Sequence, residues 1–318
     1  MGLFSNNKKL CPICGNPTPR LFPSKVEGMP ICKECDKKVD LPIGMIDRMA
    51  LDELKRYMDF YEANQTLRAL FKESERIDFS GFSGDLLLDK EHGLFRLKCD
   101  DNALVFEMAN LASFRVLEDS RPLFVSEGKN LRCFQSDIPD KANALAPQIA
   151  QFVVMRQQFE NMEQMSKMLD KQQGNNQNQN YRSSEIRPNR PSFDVPVPFE
   201  HFYVELSLNH PYWSSFRGEI SAPSFDRDYP SLNSYLKNYQ KKADHLHAFA
   251  RDLIHLMSPD AKEIYDGIET AAQPAAQSQA TGQTADPIQE IQKYKQLFDA
   301  GVITEAEFAA KKKQLLGI

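Results

Sequence analysis

Apolar residues recur at helical spacing in Leu51, Leu54, Tyr57, Met58 and Tyr61, and again in Leu67, Leu70 and Phe71, with Asp52, Glu53, Lys55, Arg56 and Asp59 on the opposite face. This pattern predicts a helix or helix pair used for packing. From Gly84 the period changes to short apolar runs over 86–88, 94–97, 104–108, 114–117, 123–125 and 131–134. Between them lie Asp89-Lys90-Glu91-His92-Gly93, Asp100-Asp101-Asn102, Glu118-Asp119-Ser120-Arg121-Pro122 and Glu127-Gly128-Lys129-Asn130. Those separators have turn compositions, so the stretch predicts antiparallel hairpins of a small β-rich domain. Cys99 and Cys133 fall in or beside these runs without paired spacing and read as buried apolar side chains.

Pro139 and Pro147 bracket a change to helical spacing through Ile149, Phe152, Phe159, Met162, Met165 and Met168. The helix passes into the Asn/Gln tract 172–180, whose composition cannot build a core, and Pro188, Pro191, Pro196 and Pro198 then hold the chain extended. Pro188-x-x-Pro191 beside Arg187 and Arg190 fits a polyproline ligand formally, but the expectation is a stiff linker. Strands are expected over 202–208 and 215–220, followed by a long helix with core spacing over 231–257. After an Ala/Gln/Thr linker, Asp286 and Pro287 open a helix that Gly301 stops, and Thr304-Glu305-Ala306-Glu307 is a capping box opening a second.

The expected fold class is α+β. Its parts are an N-terminal metal knuckle at 1–45, a connecting helix at 46–82 and one half of a β-rich domain at 83–138. A helical insertion with an Asn/Gln/Pro linker follows at 139–199, then the second β half with its capping helix at 200–260, a linker at 261–285 and a helical hairpin at 286–318. The two β halves are expected to form one domain closed by the 231–257 helix. Roughly seven strands followed by a capping helix is similar, by count and order alone, to the layout of pleckstrin-homology-like (PH-like) domains, a superfold that fixes no single activity.

Composition narrows the functional classes. The 318 residues carry a formal net charge of -5, so no overall basic field draws the chain to nucleic acid or anionic lipid. No window approaches the ~20 apolar residues of a membrane helix, and the N-terminus lacks the apolar core of a secretory signal, so a cytoplasmic protein is expected. The chain has no phosphate-cradling Gly-x-x-x-x-Gly-Lys, no His-Glu-x-x-His pair, no Gly-x-Ser-x-Gly elbow and no Rossmann glycine run. His245 and His247 are two apart on a predicted helix and face different ways. His210-Pro211-Tyr212-Trp213 gathers a histidine and the lone tryptophan in one turn, either as a ligand pocket or as an aromatic anchor. The expectation is a protein that is not an enzyme.

The strongest chemistry is Cys11-Pro12-Ile13-Cys14 with Cys32-Lys33-Glu34-Cys35. Two Cys-x-x-Cys pairs at this separation have the spacing of a zinc ribbon, each pair biting one ion from a tight turn. Cys11, Cys14, Cys32 and Cys35 are therefore the expected ligands of one structural Zn2+ per chain, in a closed site that supplies folding energy to a segment too small to bury a core. Lys8, Lys9, Arg20, Lys25, Lys33, Lys37 and Lys38 make this the one modestly basic neighbourhood. They either offset the negative charge of four thiolates or offer a surface to nucleic acid.

Two resemblances follow from these residues. Cys11 to Gly15, Leu21-Phe22, Lys25, Gly28 and Ile31 to Cys35 resemble the N-terminal zinc-ribbon domain of uncharacterised bacterial multidomain proteins. Tyr294 to Phe308, then Lys311 to Leu316, resemble the SHOCT (short C-terminal) domain. The second resemblance implies oligomerisation or tethering to nucleic acid or other partners, and about thirty residues cannot build an independent core in any case. The function expected is an adaptor or scaffold acting through protein–protein interaction and self-association, a homo-oligomer. The alternative is a nucleic-acid-associated protein using the basic surface of the knuckle.

Overall fold

The computed structural model describes residues 10–81, 84–173 and 189–266. Lys25–Val26 (β1) and Met29–Pro30 (β2) form a minimal antiparallel hairpin, turned by Glu27 and Gly28 at φ of 48° and 76°. Two successive positive φ values are what the twist of a two-residue hairpin loop requires. A single helical turn, Lys33–Asp36 (α1), follows, and then Leu51–Ala63 (α2) and Gln65–Leu70 (α3). Helix α2 buries Leu54, Tyr57, Met58 and Tyr61, the stripe read from the sequence, and Glu53 closes its first turn by accepting from the Ala50 N–H at 3.0 Å.

Among the described residues, the body beyond the knuckle contains two sheets. Glu75–Asp78 (β3), Asp85–Asp89 (β4), Leu94–Arg96 (β5) and Val105–Glu107 (β6) form an antiparallel meander in chain order. Leu111–Glu118 (β7), Arg121–Glu127 (β8) and Asn130–Phe134 (β9) begin the second sheet. After the helices Ile138–Asn143 (α4) and Ala146–Gln173 (α5), the strands His201–Leu208 (β10) and Ser215–Ser221 (β11) return to it, followed by helix Leu232–Met257 (α6) and strand Glu263–Asp266 (β12). The six-stranded order is β11-β10-β7-β8-β9-β12, with β10 antiparallel to β7 and β12 parallel to β9. Strands on either side of the insertion thus share one sheet, with Val204 opposite Val116.

The sheets meet at Gly218 of β11. A Cβ there would lie 2.5 Å from the Phe79 ring, so glycine is what lets Phe79 lie over the strand, and the Ser80 N–H donates to the Glu219 carbonyl next to it. Helix α6 starts at Ser231, whose hydroxyl accepts from the Ser234 N–H, and buries Tyr235, Tyr239, Leu246, Phe249 and Leu253. Buried Glu118 on β7 accepts from Tyr239 Oη at 2.5 Å and Ser136 Oγ at 2.7 Å, which leaves neither oxygen without a donor. The insertion is anchored at its base. The Phe152, Phe193 and Phe225 rings stack edge to face, and buried Arg156 reaches the Pro191 carbonyl at 2.8 Å and Asp228 at 3.0 Å. Pro191 is therefore tied to α5, while Pro188 and the Asn/Gln tract beyond residue 173 lie outside the described residues.

Three features differ from the sequence expectation. Strands β3 and β12 lie outside the expected set, because each is four residues long and carries only one or two apolar residues; Glu263–Asp266 falls within the expected 261–285 linker. Cys99 is exposed rather than buried, since the chain turns outward after Leu97. The apolar core runs without a break from Cys11 and Val26 of the knuckle through α2 and both sheets to Ile254 of α6. The hairpin expected at 286–318 lies outside the described residues.

Candidate metal centre

The cysteine pairs are positioned by two different local devices. At the first, the Gly15 N–H donates to the Cys11 carbonyl at 2.9 Å and Cys11 N–H to the Asn16 carbonyl at 2.8 Å; Gly15 completes this knuckle at a φ of 75°, a conformation that favours glycine. At the second, Cys32 is the N-cap of α1 and its sulfur accepts from the Cys35 N–H at 3.5 Å, so the helix start aims both sulfurs the same way. The sulfurs of Cys14 and Cys32 are 3.4 Å apart, those of Cys14 and Cys35 3.5 Å, and those of Cys11 and Cys35 3.8 Å. A tetrahedron with ~2.3 Å metal–sulfur bonds has edges of about 3.8 Å. Cys11, Cys14, Cys32 and Cys35 are thus brought together in a set that can hold one metal ion, with Cys14 exposed and the other three buried.

The thiols do not share one acidity. Burial opposes ionisation of Cys11, but backbone hydrogen bonds from Cys14, Cys32 and Ile13 outweigh it and lower the thiol to about 7. Cys35 is driven far up, by burial first and then by its contacts with Cys14, Cys32 and Cys11. At Cys14 the Asn16 N–H favours the thiolate, yet burial and the Cys32 sulfur leave the net shift upward. Cys11 ionises readily while Cys14 and Cys35 resist, a conflict that a bound divalent cation would resolve by displacing their protons. Four thiolates fill a tetrahedral ion, so such a site is closed and structural.

Asp40, just beyond the second pair, fastens the knuckle to the body through all of its polar groups. Its Oδ1 accepts from Lys98 Nζ at 2.6 Å and its Oδ2 from the Leu104 N–H at 2.8 Å. Its own N–H donates to Tyr57 Oη at 2.7 Å, and its carbonyl accepts from Trp213 Nε1 at 3.0 Å. Tyr57 in turn donates to the Lys38 carbonyl. One buried aspartate thus joins the knuckle to α2, to the loop between β5 and β6, and to the turn between β10 and β11. Nothing in the local sequence marks it.

The other sequence candidates separate. His210 lies among the Phe60, Phe106 and Tyr212 rings, and Trp213 is edge-on to Phe106, so the turn is an aromatic anchor with a cavity of about 350 Å³ beside it. Burial lowers His210 to about 4, and its Nδ1 accepts from the Tyr212 N–H. Of the basic residues, Lys37 pairs with Glu34 and Lys38 with Glu62, while Lys8 and Lys9 lie outside the described residues. The knuckle presents apolar side chains outward instead: Leu21 is 77%, Phe22 99% and Ile43 100% exposed. Cys133 is buried on β9, and burial with the charge of Glu263 pushes its thiol up to about 11. Among the described residues, no helix is long and apolar enough to cross a membrane.

Comparison with known proteins places a family on one part of the chain. The model of the short C-terminal domain, SHOCT, matches residues 289–316, within the 286–318 segment that resembles it in sequence; the match does not extend to the cysteine knuckle. No curated protein and no solved structure matches the chain.

Proposed function

We propose that this chain is a non-enzymatic adaptor or scaffold that acts by protein–protein interaction and self-association, with one structural zinc in its N-terminal ribbon. The observation that carries the reading is the SHOCT match at 289–316, a segment too short to bury a core of its own and so dependent on a partner or a second copy. The closed tetrathiolate set supports zinc over an oxygen-seeking ion, because soft thiolates in a tetrahedral arrangement select it. The exposed Leu21, Phe22 and Ile43 favour a protein partner over nucleic acid, as does the drawing of Lys37 and Lys38 into ion pairs. Phe22 holds its side chain out at a φ of 50°, a conformation that costs a non-glycine residue about 1 kcal/mol.

The body is read as PH-like, with the four-stranded β3–β6 meander and the six-stranded sheet that holds β10 and β11 beside β7 as its two sheets, and α6 as the closing helix. Thiols in metal spacing suit a reducing compartment, which supports a cytoplasmic setting; a bacterial one rests on the two resemblances alone. The experiment is affinity capture from the native host with the full chain and with a chain ending at residue 285. Loss of the specific partners on truncation supports the adaptor reading. Capture that survives truncation and is abolished by nuclease or moderate salt would favour the nucleic-acid reading.

A further inference from the structure

A second group of metal-ligating side chains converges far from the knuckle in sequence. Cys133 comes from β9, His247 from α6 and Glu263 from β12, the short parallel strand at the sheet edge. The Cys133 sulfur is 3.8 Å from His247 Nε2, and that nitrogen is 3.2 Å from Glu263 Oε2; the three ligand atoms all lie within 4.8 Å of one another. A tetrahedral ion with ~2.3 Å bonds to sulfur and ~2.1 Å bonds to nitrogen and oxygen sets the sulfur–nitrogen and nitrogen–oxygen separations at about 3.6 and 3.4 Å. Both observed distances fall close to these values.

The surroundings hold this geometry in place. The His247 ring stacks on Phe124, with centroids 4.9 Å apart and planes 18° off parallel, which holds the plane of the imidazole. Arg251 Nε holds Glu263 Oε1 at 2.9 Å and so turns Oε2 toward the histidine, while the Tyr265 hydroxyl donates to that same Oε2. Nε2 has at most one proton to give and faces both a sulfur and a carboxylate oxygen. A cation satisfies all three atoms at once, and a thiolate with a carboxylate balances a dication.

We propose that Cys133, His247 and Glu263 form a second site for a zinc-class divalent cation, which clips β12 to β9 and α6. Three protein ligands leave the fourth tetrahedral position to water or to an outside ligand, unlike the closed cysteine knuckle. Strand β12 is four residues long and, among the described residues, pairs with β9 alone, so a metal bond from Glu263 adds a fastening at the point where the described body ends.

The test is zinc stoichiometry by elemental analysis of the full-length chain, with a parallel Co2+ titration followed by absorbance. The expected result is two ions per chain, the second Co2+ adding the charge-transfer band of a single thiolate. Cys133→Ser should retain one ion and lose that band, and Cys99→Ser should retain two. Glu263→Gln changes a side chain that is not fully buried, so it guards against loss of folding and should weaken the second equivalent at least about tenfold. Amide exchange over 263–266 should slow when the second equivalent is added. One ion per saturated wild-type chain, or a second equivalent unaffected by Cys133→Ser and Glu263→Gln, would overturn the proposal.

Discussion

Trp213 Nε1 donates to the Asp40 carbonyl at 3.0 Å, joining two residues 173 positions apart. Through this bond the cysteine knuckle and the turn between β10 and β11 report on one another. Trp213 is the lone tryptophan and is buried, so its fluorescence reads the junction directly. Cys14 is the exposed member of the candidate metal set, and Cys14→Ser would remove one of its four sulfurs without opening a core cavity. The expected outcome is loss of one zinc per chain and a red shift of Trp213 emission, as the knuckle frees Asp40. Zinc loss with unchanged emission would show that the body holds Asp40 without the knuckle.

Asp40→Ala should be among the most damaging single changes in the body. It leaves the buried Leu104 N–H without an acceptor and releases Lys98, at a cost of about 3 kcal/mol in denaturant unfolding. Lys98→Ala should cost no more than about 1 kcal/mol, because the lysine end of the pair is 43% exposed. Equal losses for the two would mean that the ion pair, rather than the backbone acceptor role, is what matters.

His210 makes stability depend on pH in a defined window. Burial lowers its folded-state value to about 4, whereas an unfolded histidine titrates near ~6.5. Above that value both states are neutral and the group contributes no pH dependence. As pH falls from about 6.5 to about 4 the unfolded chain takes up a proton that the folded one refuses, so stability drops by roughly 1 kcal/mol per unit and then levels off. Urea unfolding of the wild type and of His210→Gln from pH 7 to 4 should show a shallower slope in the variant; parallel slopes would place the pH dependence elsewhere.

What could be read from the chain was what depends on neighbours in sequence. The cysteine pairs are each three residues apart, and the stripe of α2 and the runs of β4 to β9 repeat at short period, so local spacing carried them. Strands β3 and β12 carry one or two apolar residues each and exist because a neighbouring edge pairs with them. Asp40 reads as one acid near a lysine pair, and its role appears only when Tyr57, Lys98, Leu104 and Trp213 close around it. Cys133 and His247 are 114 residues apart, and the packing of α6 against β9 brings them together.

That association resides in the C-terminal segment is tested most directly by the solution mass of the metal-loaded protein, measured by light scattering. The full chain should give a multiple of its 36.4 kDa subunit mass, and a chain ending at residue 285 should give a single subunit with the Trp213 emission of the intact body. A full chain that stays a single subunit across the accessible concentration range, or a truncated chain that assembles to the same order, would contradict it.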